Sequence, residues 1–150
     1  MKPRLRPWRQ DSAMNARSIE LPAELESLSV AAQFTDEVIR EILGDFPPPH
    51  LGYNIALAVS EALTNAIRHC QAGVKVCLGF SWDTQKVVIT VDDQGGELNL
   101  EDIPEPDFEE AAAGGYGVYI IRKLMDEVTI EIFSGWKRLT MVKNLLKGYE

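Results

Sequence analysis

Cysteine is scarce in this chain. Cys70 and Cys77 are the only two among 150 residues, and neither has the companion ligands or spacing of a zinc site. They read as reduced thiols of a cytoplasmic protein, which sets aside a disulfide-stapled secreted fold. Long apolar runs are absent: no stretch approaches the roughly 18 residues of a membrane-spanning helix. The opening MKPRLRPWRQDSAMN is basic with no apolar run behind it, so it does not read as a secretory signal. Positive charge is scarce and uneven. The formal net charge of −8 divides into +3 on the first 13 residues (Lys2, Arg4, Arg6 and Arg9 against Asp11) and −11 on the rest. Such a charge argues against gripping nucleic acid through phosphates; it suits either a partner with a basic surface or plain solubility. Internal repeats are missing as well. Residues 1–14 read as a disordered basic arm, and 15–150 as one globular domain with a real core.

What is present is a succession of helical and strand patterns. SIEL (18–21) reads as a short first strand, with Pro22 at the first position of a helix. Residues 23–43 place Leu28, Ala31, Phe34, Val38 and Ile42 on one helical face. FPPPH (46–50) breaks the chain before a second helix over about 50–70. VKVCLGFS (74–81) and VVITVD (87–92) alternate strictly, with WDTQ between them as a hairpin turn. After a helix over 116–126, VTIEIF (128–133) and RLTMVK (138–143) read as a second hairpin around SGW. One apolar and one polar face per strand pair predicts an α+β fold. The expected form is a two-layer sandwich, with a mixed, mainly antiparallel sheet and three helices on one face.

Three polar groupings stand out. The second helix sets Asn54, Glu61, Asn65 and Arg68 within about 60° of arc, opposite Ile55, Val59, Ala62, Leu63, Ala66 and Cys70. This is either a solvated face or a carboxylate, an amide and a guanidinium aligned for a metal and phosphate. DDQGGE (92–97) closes a strand with Asp93 and Gly95. It is either an ordinary turn or a carboxylate able to accept from an exocyclic amine. Gly114, Gly115 and Gly117 open the third helix. They form either a hinge or a close backbone approach to phosphate at a helix N-terminus. No GK[ST] follows them, which excludes a Walker A loop, and no strand directly precedes them, as a Rossmann turn requires. The 21 residues 94–114 before them hold seven acids and no Lys or Arg. A loop this long reads as a lid, and an acidic lid over phosphate calls for a metal ion.

The order E-x-x-x-N on a helix, D-x-G after a strand, lid, then G-x-G opening a helix resembles the N, G1 and G2 boxes of the GHKL ATPases (the Bergerat, or histidine-kinase-like, fold). EALTNAIRH and GVYIIRKLMDEV are more specifically similar to the anti-sigma factor serine/threonine kinases, over about residues 18–147. The resemblance implies ATP and Mg²⁺ as cofactors. It makes Glu61 the general base and Asn65 the Mg²⁺ ligand. It sets Arg68 toward phosphate, Asp93 on the adenine amine with Gly95 beside the base, Gly115 and Gly117 at the phosphates, and Thr140 near adenine. It implies a kinase that phosphorylates a STAS-domain anti-anti-sigma protein and sequesters a sigma factor, in a family whose members often dimerise. Tyr116 stands between the glycines where many relatives carry Arg or another residue. A module that binds nucleotide and partner without phosphoryl transfer is the alternative.

Overall fold

The computed structural model describes residues 14–70, 74–94 and 116–145. The chain runs β1 (Asn15–Pro22), α1 (Ser27–Leu43), α2 (Pro49–His69), β2 (Lys75–Trp82), β3 (Lys86–Asp93), α3 (Tyr116–Leu124), β4 (Glu127–Phe133) and β5 (Trp136–Asn144). The strands form one sheet in the order β1-β2-β3-β5-β4. All four pairings are antiparallel, so among the described residues the sheet is not mixed. The basic arm over residues 1–13 lies outside the described residues. No described helix is long and apolar enough to cross a membrane.

Register explains the core. Ile19, Leu78, Val91, Leu139 and Ile130 stand in one cross-strand row, and Phe80, Ile89, Met141 and Val128 in the next. Side chains alternate along a strand, so both rows share a face. That face is sealed by Ala31, Phe34 and Val38 of α1, Ile55, Val59, Ala62 and Leu63 of α2, and Ile121 of α3. All three helices therefore lie on one side of the sheet. Phe34 and Phe80 meet at 6.0 Å between ring centroids, tilted by 56°. Arg17 ends the second row and closes it against α1, donating to Glu41 at 2.7 Å with its guanidinium 5.1 Å from the Phe34 ring.

Three boundaries differ from the sequence pattern, each for a local reason. Pro22 ends β1 opposite Lys75 instead of starting a helix. The Ala23 N–H donates to Val74 O at 2.8 Å, extending the pairing, and α1 begins only at Ser27, whose hydroxyl donates to Pro22 O. Long-range pairing has overridden the local preference of proline for a helix start. The second hairpin turns on Ser134 and Gly135 alone, both with positive φ (50° and 81°), as a two-residue turn between twisted strands requires. Trp136 thus joins β5 and is buried. The first hairpin holds its turn through the Asp83 carboxylate, which accepts from the Gln85 and Lys86 N–H groups.

The outer sheet face is polar, as alternation predicts, but much of it is buried. Arg138 forks onto Asp92 there, Nε to Oδ1 at 2.7 Å and Nη2 to Oδ2 at 2.9 Å. These groups satisfy each other rather than water. Cys70 and Cys77 are both free thiols.

Candidate functional site

The polar stripe of α2 is not a solvated face. Glu61 and Asn65 are half-buried, because the start of α3 packs across them. Gly117, in the first turn of α3, is buried at this crossing. A Cβ on Gly117 would lie 2.9 Å from Glu61 Oε2 and 3.4 Å from Asn65 Nδ2. Only a residue without a side chain lets the backbone come so close. A carboxylate, a carboxamide and the backbone of α3 therefore converge on one place.

Arg68 and His69 occupy the last turn of α2 and are exposed. Asp93 ends β3 on the helix-side face and is 1% exposed. Directly opposite it in register is Lys137 of β5, with Nζ 3.6 Å from Asp93 Oδ2. Gly95 and Gly115 lie outside the described residues.

Thr140 does not share the face of Asp93. It pairs with Thr90 in register, whereas Asp93 pairs with Lys137. Residues three apart on a strand point to opposite faces, so Thr140 faces away from Asp93, on the outer side with Arg138. Its Oγ1 is buried and has no hydrogen-bond partner among the described residues. The residue that shares the face of Asp93 is Lys137, which reading by family position missed. The signal was present, since Lys137, Leu139 and Met141 share one parity in WKRLTM.

The described residues include no group of three or more His, Cys, Asp or Glu side chains able to hold a metal ion. Mg²⁺ keeps waters and shares its coordination with substrate phosphates, so it needs few protein ligands. Asn65 supplies the neutral oxygen and Glu61 the adjacent negative charge such an ion would meet. A groove of about 570 Å³ lies elsewhere, on the outer sheet face among Ser18, Cys77, Gly79, Thr90, Asp92 and Arg138.

Residues 21–143 match the family described as histidine kinase-like ATPase domain. The chain belongs to that family. It is similar to the serine-protein kinase RsbW of Bacillus licheniformis, 34% identical over 93 residues, covering 55% of this chain and 58% of that one. RsbW of Staphylococcus epidermidis is 35% identical over 105 residues, covering 61% and 64% respectively. The chain thus spans less than two thirds of the length of these curated relatives. Among solved structures, one containing the RsbU and RsbW domains of a Mycobacterium tuberculosis protein aligns with a TM-score of 0.65 at 19% identity, covering 87% of this chain and 32% of that one. The expected histidine kinase-like ATPase fold is thereby shown.

Proposed function

We propose that this chain is an ATP-dependent protein serine/threonine kinase that acts as an anti-sigma factor. Its substrate is a hydroxyl of a STAS-domain anti-anti-sigma protein, and its second partner is a sigma factor. The observation that carries the reading is the contact of the Gly117 backbone with Glu61 and Asn65. That contact joins the start of α3 to the carboxylate and amide that the chemistry needs. The similarity to serine-protein kinases supports the same reading. The proposed reading also includes residence in the cytoplasm and pairing with a second copy of the chain.

A Mg²⁺ ion held at Asn65 would supply positive charge against the ATP phosphates. The α3 N-terminus holds phosphate through Gly117 and, beyond the described residues, Gly115. Arg68 adds positive charge on the phosphate side, and Asn65 holds the metal. Asp93 accepts from the adenine amine, beside Gly95. Glu61 accepts the proton of the attacking hydroxyl as its oxygen bonds to the γ-phosphorus and the bond to the bridging oxygen breaks, releasing ADP. Most of the catalysis in such a transfer is positioning and electrostatics, so a single base contributes about 10²–10⁴-fold.

The test has two stages. Calorimetric titration should show Mg²⁺-dependent ATP binding that Asp93→Asn weakens strongly. Glu61→Gln should then bind ATP and fail to transfer phosphate to a STAS protein. Binding without transfer by the wild type would move the reading to a regulatory module. No binding at all would end it.

A further inference from the structure

The helix-side face of the sheet carries two apolar rows and then a third of different character. In that third row Ile132, Lys137 and Asp93 stand side by side on β4, β5 and β3. Lys137 is the only buried lysine among the described residues. Its side chain is 8% exposed and that of Asp93 2%. An ammonium is rarely taken this far from water merely to balance a carboxylate, because burial of both charges offsets most of their attraction. The separation of 3.6 Å, Nζ to Oδ2, is longer than the 2.7–2.9 Å of a charge-assisted hydrogen bond. The pair is held by charge rather than closed by a tight bond. An ammonium has three donors, more than one carboxylate oxygen consumes.

An ionised carboxylate only accepts and an ammonium only donates. Set side by side at the end of β3 and the start of β5, they form a two-point template: one acceptor beside one donor. Adenine presents the complement on either side of its exocyclic amine, a donor flanked by the ring acceptors N1 and N7. We infer that Lys137 is a base-reading residue, donating to a ring nitrogen next to the adenine amine while Asp93 accepts from the amine itself. The inference rests on the proposed nucleotide reading and deepens it. It assigns to β5 half of the base specificity, at the strand position that shares the face of Asp93, where Thr140 does not reach.

The test is a cycle of two proteins and three ligands by calorimetry with Mg²⁺. Wild type and Lys137→Met are titrated with ADP, 1-deaza-ADP and 7-deaza-ADP. A hydrogen bond from a charged donor corresponds to about tenfold or more in affinity. Wild type should therefore bind one deaza analogue about tenfold more weakly than ADP. Lys137→Met should lose about tenfold on ADP and show no preference for ADP over that analogue. The analogue that couples names the nitrogen. A lysine acting only as a structural counter-ion would weaken all three ligands equally, and that result overturns the inference while leaving nucleotide binding intact. Wild type that binds no ADP overturns both. Should Lys137→Met not fold, the wild-type protein suffices: side-chain ammonium NMR should show the buried lysine signal shift with ADP and not with the coupled analogue. A shift of the same size with all three ligands again overturns the inference.

Discussion

Two ion pairs sit on adjacent residues of the same two strands and serve opposite ends. Asp92 and Arg138 face outward, joined by two short hydrogen bonds in a fork. Asp93 and Lys137 face the helices, 3.6 Å apart. Both pairs are buried, so both bear a desolvation cost. The outer pair is matched in shape, a planar guanidinium forked onto a carboxylate. The inner pair is a point charge beside a carboxylate, at a longer separation of 3.6 Å. The first is a lock between β3 and β5, and the second is a reading head. A one-residue step along a strand, which reverses the face, separates structure from function here.

The largest effect should come from breaking the lock. Arg138→Ala leaves Asp92 buried with its fork gone, and losing one partner of a buried pair costs about 3–5 kcal/mol. Denaturant titration should show that loss, while ATP affinity of the folded fraction stays within about twofold of wild type. Replacing both partners, Asp92→Leu with Arg138→Met, should recover most of the stability, because apolar groups of similar volume need no partner. A double variant no more stable than Arg138→Ala would mean that the fork also sets strand register.

Next in size is Asp93→Asn. The amide keeps the shape but turns half of an acceptor into a donor, facing an amine that also donates. ATP affinity should fall about a hundredfold, two hydrogen-bond equivalents in tenfold steps. Stability should fall less than in Arg138→Ala, since the long Lys137 stem can carry its charge toward solvent. An Asp93→Asn protein that binds ATP as wild type does would erase the distinction between the two pairs.

The contrast between the pairs was only half legible in sequence. The apolar rows were plain, because VKVCLGFS, VVITVD and RLTMVK each alternate and burial demands that period. The stripe of Glu61 and Asn65 was visible, but spacing alone could not say what covers it. That depends on α3, which reaches α2 from more than fifty residues away. Lys137 was hidden by its neighbour: KR in a hairpin looks like solvated charge. Its face follows only once Ser134 and Gly135 fix the turn as two residues and Asp93 fixes the partner register. The face of Thr140 was hidden for the same reason, since a step of one residue in register reverses a side chain.

The smallest and most discriminating effects should come from two glycines that are geometrically alike. A Cβ at Gly117 would meet Glu61 Oε2 at 2.9 Å, and a Cβ at Gly79 would meet Thr90 Oγ1 at 2.8 Å. Gly117→Ala collides with the end of a flexible side chain, which can swing aside at little cost in stability. The carboxylate then leaves the helix start, so ATP affinity should drop about tenfold, and transfer should drop further because Glu61 no longer meets the hydroxyl. Gly79→Ala collides with a β-branched side chain held in the sheet, on the outer face. Thr90 has few rotamers to offer, so overpacking should cost about 1–3 kcal/mol with ATP affinity unchanged. The two alanines, measured by thermal melting and calorimetry together, should therefore move different observables. If Gly79→Ala also weakened ATP binding, the outer groove would be coupled to the helix side through β3, and the division drawn between Asp92 and Asp93 would have to be redrawn as one connected element.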